Sequence, residues 1–317
     1  MPLTKVTVKA PATSANLGPG FDVFGLALAE PNDTVTIAAN PKSVRIEIEV
    51  SGVAAETIPT SPERNTAGIV ANQILTEFSI KTGIHIKIEK GILPGMGLGS
   101  SAASAAAVAY GLNRIFDLKL DNTQLIRLAA KGEIASAGYE HADNVSAAIC
   151  GDFVIIKSYN PLEIVNLKSP PDMEVCVAFP HMRTPAHKTR KARSVVSKLV
   201  PIEKVTQNIG KAAAMASGFA IGDVDLVGES MSDAVVEPAR AFLIPGYEQV
   251  KENALRAGAC GVAVSGAGPA MISIVNKKKA NASEVASAMK AGFESAGLKA
   301  TAFATRPGKG VSLLELE

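Results

Sequence analysis

The chain has 317 residues, of which 47% are apolar and 4% aromatic, with no Trp and a formal net charge of +2. That length suits two domains around an aliphatic, alanine-rich core. The near-neutral charge and the shortage of aromatic residues exclude a dedicated nucleic-acid surface. The three scattered cysteines, Cys150, Cys176 and Cys260, form no metal spacing and no disulfide framework.

The N-terminal stretch MPLTKVTVKAPATSAN has no apolar run of the kind a secretory leader needs. A reducing, cytoplasmic setting is therefore expected. The first predicted strand has Val6 and Val8 alternating with Lys5, Thr7 and Lys9. Pro11–Asp22 then reads as a polar loop. Further strands are predicted around Val35 and Ile37, and over Arg45–Val50, where Ile46, Ile48 and Val50 alternate with charged residues. A helix is predicted from Thr66, after Asn65, to about Ser79. The alternation of Ile84, Ile86 and Ile88 with His85, Lys87 and Glu89 predicts a strand. It leads into a glycine-rich loop and a helix from Ser100 towards Phe116. A further helix, capped by Asp121 or Asn122, runs towards Ala135, and Gly151–Ile156 is a strand.

Ser169-Pro170-Pro171-Asp172 is a candidate boundary, and the chain is divided into domains 1–165 and 166–317. Beyond it Val175, Val177 and Phe179 alternate as a strand. Helices are expected near Ile202–Ile221 and Gly246–Ala257. Ala257–Val275 carries no charge over 19 residues, long enough for a membrane span. Its glycines and Pro269 argue instead for two buried strands around the tight loop Gly266-Ala267-Gly268-Pro269. A helix over Ala282–Ala296 and a strand over Ala300–Ala304 close the pattern. The order of elements predicts an α+β fold with helices on one face of an antiparallel sheet.

Three stretches carry chemistry. The first is Pro94-Gly95-Met96-Gly97-Leu98-Gly99-Ser100-Ser101-Ala102-Ala103-Ser104. Its glycines allow close backbone approach, and the helix start offers free N–H groups and a positive dipole end. This describes a phosphate cradle. It is not a Walker loop, since Ser100 rather than Lys follows Gly99. A dinucleotide fingerprint wants an acidic residue at a strand end about 20 residues on, which here falls inside the helix running from Ser100 towards Phe116. The plain alternative is a tight turn with an ordinary serine cap. The second stretch is Pro11-Ala12-Thr13-Ser14-Ala15-Asn16-Leu17-Gly18-Pro19-Gly20-Phe21-Asp22, and the third is Ser265-Gly266-Ala267-Gly268-Pro269-Ala270. Either reads as a ligand loop or as a bland connection.

Together, in this order and spacing, the three resemble the signatures of the GHMP kinases, which include galactokinase and the homoserine, mevalonate and phosphomevalonate kinases. The resemblance runs from about residue 5 to about residue 305. PATSANLGPGFDVFGLAL is similar to the version found in homoserine kinases. The resemblance implies an N-terminal domain like ribosomal protein S5 domain 2, with a left-handed crossover, and a ferredoxin-like C-terminal domain, with the site between them. It implies ATP and Mg²⁺ as cofactors and L-homoserine as the small-molecule substrate. No nucleic-acid or membrane partner is expected, and room is left for a homodimer. It places Pro94, Gly95, Gly97, Leu98, Gly99, Ser100, Ser101, Ala102 and Ser104 around the phosphates, with Asn65 and Lys90 at the adenosine end. Ser101 and Glu133 would ligate the metal. Asn16, Asp22, His141, Asn144, Arg193, Arg240 and Gly266 would form the homoserine pocket. There Asp22 would meet the ammonium and the two arginines the carboxylate. Asn144 would lie near the reacting hydroxyl. An amide cannot take a proton at neutral pH, so the reading implies a kinase without a side-chain base, although the adjacent Asp143 keeps a base mechanism open. Another GHMP kinase, of shikimate or mevalonate type, and a non-catalytic sensor of this fold are the competing readings.

Overall fold

The computed structural model describes residues 4–137, 142–182 and 188–317. The first unit comprises β1 (Lys5–Asn16), β2 (Gly20–Asn40), β3 (Ile46–Gly52), α1 (Thr66–Glu77), β4 (Gly83–Lys90), α2 (Ser100–Ile115), α3 (Asn122–Ala137), α4 (Asp143–Cys150), β5 (Phe153–Tyr159) and β6 (Leu162–Leu167). The second comprises β7 (Met173–Pro180), α5 (Lys188–Ser194), α6 (Ile202–Ile221), α7 (Val224–Glu229), α8 (Val236–Arg240), α9 (Tyr247–Arg256), β8 (Gly261–Val264), β9 (Met271–Asn276), α10 (Ala282–Ser295), β10 (Ala300–Thr305) and β11 (Ser312–Leu316).

The first sheet runs β11-β1-β2-β4-β3, with β5 and β6 continuing from the bent part of β2. Its pairings are antiparallel except β3 with β4, which α1 connects. The last strand thus returns to the first sheet and pairs with β1. The four-stranded second sheet has the order β10-β7-β9-β8 and is antiparallel throughout. Numbered within that unit the order is 4-1-3-2 with helices after its first and third strands, the ferredoxin-like arrangement. The uncharged 257–275 stretch folds as β8, a turn and β9. No helix among the described residues is long and apolar enough to cross a membrane.

Local sequence explains the elements that carry the site. Asn65 caps α1, its Oδ1 accepting from Ala67 N at 2.9 Å, and Val70, Ala71 and Ile74 of that helix are fully buried. Helix α2 can lie flat against β1 and β2 because its inward residues are alanines, Ala102, Ala103 and Ala105–Ala107 all being fully buried. A Cβ on Gly111 would come within 2.3 Å of Ile37 Cδ1. Larger residues on this face would therefore lift the helix and misplace its N-terminus, which faces the cleft. The core runs on from the first sheet onto one face of the second, where the Phe153 and Phe219 rings stack at 3.9 Å. A second cluster under α9 and α10 covers the other face. The two units are locked by apolar contact, which fixes the cleft between them.

One sequence expectation changes. Pro11–Asp22 is not a loop after the first strand: β1 continues to Asn16, and β2 begins at Gly20. The turn between them holds Asn16, Leu17 and Gly18 at positive φ, followed by Asp22 at φ 60°.

Candidate active site

The three singled-out stretches meet in space and bond to one another. Thr13 N donates to Leu98 O, Gly266 N to Ala15 O, and Ala270 N to Met96 O, at 2.9–3.1 Å. Ser265 Oγ donates to Gly97 O at 2.7 Å and pairs with Ser14 Oγ at 2.8 Å. Gly97, at φ 93°, is obligatory here, since a Cβ would sit 2.3 Å from Ser265 O. Gly99, at φ 62°, would drive a Cβ within 1.9 Å of Thr13 Oγ1. These contacts frame a cleft of about 670 Å³.

At one end of the cleft, the glycine loop delivers the chain to the N-terminus of α2. Ser100 Oγ turns inward and donates to Ile92 O at 3.0 Å. Ser101 Oγ turns into the cleft and donates to Glu133 Oε2 at 3.1 Å. Glu133, from α3, is only 7% exposed. A hydroxyl and a carboxylate at one spot beside a phosphate cradle are hard oxygen donors, which suit Mg²⁺ completed by water and phosphate oxygens. No group of three or more His, Cys, Asp or Glu side chains that could hold a metal occurs among the described residues. A Mg²⁺ site shared with phosphates does not need one.

Two residues placed at the adenosine end line the cleft but have their side chains engaged. Asn65 caps α1 and donates from Nδ2 to Pro59 O at 2.6 Å. Lys90 Nζ pairs with Asp33 and donates to Ser100 O at 2.9 Å and to Ser104 Oγ at 3.2 Å. All three ammonium hydrogens are thus used. Asp33 also accepts from the backbone N–H groups of Gly91 and Ile92. Burial pushes the Asp33 carboxyl up and the Lys90 ammonium down, each opposed by the attraction of the other. This network fixes the start of α2 relative to the end of β4. Ala102 is fully buried in the core and stands behind the cleft lining.

At the other end, Arg193 on α5 donates from Nη2 to both carboxylate oxygens of Asp22, at 2.8 and 2.6 Å. Arg240 on α8 donates from Nε to Ala192 O at 2.8 Å and from Nη1 to Gly266 O at 3.4 Å. Both guanidinium carbons lie 5.0 Å from the centroid of the Phe21 ring, a cation–π arrangement that holds the two forks side by side. Asn16 ties the turn down: its Oδ1 accepts from Asp22 N at 3.1 Å and its Nδ2 donates to Gly266 O at 2.9 Å. Behind Arg240, the buried Glu237 accepts from Tyr247 Oη and Val264 N, both at 3.0 Å. That joins α8 to the strand feeding the third loop. Burial pushes the Glu237 carboxyl up to about 7.

Asn144 sits between the two ends. Its Oδ1 accepts from Thr13 Oγ1 at 2.8 Å, and its backbone N and Nδ2 donate to Asp143 Oδ1 at 2.7 and 3.3 Å. One Nδ2 hydrogen remains for an incoming hydroxyl. Asp143 is buried, and burial followed by repulsion from Asp22 pushes its carboxyl up to about 7. His141 lies outside the described residues. Sequence reasoning missed Thr13, Phe21 and Lys188. The first two lie inside the Pro11–Asp22 stretch, and Lys188 lies five residues before Arg193.

The chain matches the model of the GHMP kinases N terminal domain over residues 65–152 and that of the GHMP kinases C terminal domain over residues 215–295. The chain belongs to the GHMP kinase family. It is 48% identical over 277 residues to a homoserine kinase of Methanococcus vannielii, covering 87% of this chain and 89% of that one. It is 43% identical to a homoserine kinase of Halorubrum lacusprofundi, over 98% of this chain and 99% of that one. The crystal structure of a homoserine kinase from Cytophaga hutchinsonii superposes with a TM-score of 0.90 at 33% identity, covering 98% of each chain. As a GHMP kinase, this chain is an ATP-dependent phosphotransferase of two-domain α+β fold. The glycine loop at the start of α2 falls within the matched N-terminal region.

Proposed function

We propose that this GHMP kinase transfers the γ-phosphoryl group of ATP to the side-chain hydroxyl of L-homoserine, giving O-phospho-L-homoserine for threonine biosynthesis. The observation that carries the reading is the single cleft with a phosphate cradle at one end and an acid–base pair at the other. The α-amino and α-carboxylate groups of an amino acid can exchange with the Asp22–Arg193 pair. The three relatives described above, each named a homoserine kinase, support the same acceptor. In this reading the backbone amides of Gly97–Ser101 hold the phosphates. Asp22 takes the substrate ammonium, and Arg193 and Arg240 take its carboxylate. Asn144 Nδ2 orients the hydroxyl towards the phosphoryl group.

Ser101 and Glu133 would hold Mg²⁺. When bound, the ion supplies charge neutralisation on the transferring phosphoryl group. The paired Ser101 and Glu133 favour turnover over a sensor role, since a sensor has no need of metal ligands. A cytoplasmic location and a homodimer belong to this reading, the dimer supported by the exposed Leu199, Ile202 and Ile209 near and along α6.

Phosphoryl transfer with a loose transition state is driven mainly by alignment and charge stabilisation. Asn144 supplies alignment without accepting a proton. Asp143 is a neighbouring carboxylate with a raised pKa, which makes it the candidate for a base. The variants separate the two. Asn144→Ala should lower kcat by roughly ten- to a hundredfold, the value of about 1–3 kcal/mol for a positioning hydrogen bond. Asp143→Asn should be milder, since its carboxylate serves to hold Asn144. Loss of all turnover in Asp143→Asn with homoserine still bound would make Asp143 the general base. The acceptor itself is tested by ADP release over L-homoserine, shikimate, mevalonate and galactose, where only the first should respond.

A further inference from the structure

Lys188 is a half-buried cation with no acid paired to it among the described residues. It opens α5, lines the same cleft as the glycine loop, Arg193 and Arg240, and donates from Nζ to Gly95 O at 2.6 Å and to Gly268 O. Among the described residues it forms no salt bridge, whereas Lys90 and Arg193 in the same cleft each pair with a carboxylate. A partly desolvated ammonium held by carbonyl dipoles gains from an anion that completes its shell. Among the described residues, the third hydrogen of the ammonium has no acceptor. Burial, then repulsion from Arg240 on α8, lowers its pKa to about 7. The other two elements against it, the glycine loop and the Gly268 turn, present carbonyls.

The position of the ammonium says which anion. Its two acceptors belong to positive-φ glycines, Gly95 at 79° and Gly268 at 68°, whose left-handed backbone turns these carbonyls to Lys188. Gly268 abuts the centre of the phosphate loop, its O lying 2.9 Å from where a Cβ on Gly97 would be. Arg240, the other cation acting on Lys188, belongs to the acceptor end. Lys188 therefore stands between the phosphate loop and the acceptor pocket. That is where the outermost phosphate of a nucleotide must lie to meet a hydroxyl.

We propose that Lys188 is a ligand of the terminal phosphoryl group of ATP. On nucleotide binding its ammonium exchanges a loop carbonyl, or uses its third hydrogen, to bond a γ-phosphoryl oxygen. There it stabilises the charge of the group in transit as a point-charge donor. The inference rests on the phosphotransferase reading of the cleft but not on homoserine as the acceptor.

Calorimetric binding of the magnesium complexes of β,γ-methylene-ATP and of ADP, without acceptor, tests it. Lys188→Met should weaken the ATP analogue by roughly ten- to a hundredfold, the worth of a hydrogen bond to a charged group, and ADP by less than about threefold. Lys188→Arg should restore most of the difference. Because the pKa of the free lysine is lowered, part of it is neutral at pH 8, and a bound phosphate favours the charged form. Titrations of the wild type in two buffers of different ionisation enthalpy should therefore show proton uptake with the analogue that is absent in Lys188→Met. If Lys188 only latches the two loops, both nucleotides weaken equally and no proton is taken up, and that result overturns the assignment. So does unchanged binding of both. If the analogue pattern appears while homoserine is not phosphorylated, the acceptor reading fails and Lys188 stands.

Discussion

Glu133→Ala is expected to lose roughly a hundredfold or more of kcat while keeping its fold. The carboxylate lies 3.1 Å from the Ser101 hydroxyl, at the point where α2 presents its N-terminus to the cleft. A Mg²⁺ ligand there contributes charge stabilisation worth several kcal/mol to the transition state, and each 1.36 kcal/mol is about tenfold in rate. The ammonium of Lys90 is near enough to feel the Glu133 charge, but its hydrogens are taken by Asp33, Ser100 and Ser104. It cannot move over to replace a missing metal. Glu133→Gln should share the kinetic loss, since it keeps the shape and removes the charge. Kinetics across a magnesium titration, with melting temperatures for both variants, check this. Near-normal turnover at limiting Mg²⁺ would make Glu133 an ordinary helix carboxylate.

The second large effect belongs to the arginine pair. Arg193→Leu and Arg240→Leu should each raise the KM for L-homoserine by roughly thirtyfold or more and leave the KM for ATP near its starting value. Removing one member of a buried charge-assisted pair costs about 2–5 kcal/mol. The two variants should differ in kind. Arg193 is bonded through both oxygens to Asp22, so its loss leaves that carboxylate short of a counterion. Asp22→Asn should therefore partly relieve Arg193→Leu, giving a double variant less impaired than the two single effects combined. Arg240 also holds Ala192 O on α5, so its loss loosens the helix that carries Arg193, and no change at Asp22 relieves it. An unchanged homoserine KM in both single variants would remove the carboxylate clamp from the account.

Much of this was readable in the residues. The strand over Ile84–Ile88 and the helices at Thr66, Ser100 and Ala282 follow from periodicity and caps, and the structure has them. The continuation of β1 to Asn16 was hidden because Ala10–Asn16 are all buried. A strand covered on both faces shows no alternation. Its Thr13 and Ser14 look like loop residues, and are polar because they bond to the other two glycine loops. Helices α4, α5, α7 and α8 have eight residues or fewer, too short for a helical period to stand out. The pairing of β11 with β1 joins opposite ends of the chain, which no local pattern encodes. Charges misled in the same way. Lys90 reads as an available cation until Asp33, 57 residues earlier, is found against it. Lys188 carries no local signal in the sequence, yet the fold brings it into the lining of the cleft.

The central claim is that the cleft joins the terminal phosphate of ATP to the side-chain oxygen of an amino acid. Phosphorus NMR of the product mixture from enzyme, Mg-ATP and L-homoserine tests it most directly. The account predicts ADP together with a new phosphomonoester resonance coupled to the side-chain methylene protons of homoserine, formed in equal amounts. ADP with inorganic phosphate alone, or a phosphoester that forms from mevalonate or shikimate and not from homoserine, would contradict it.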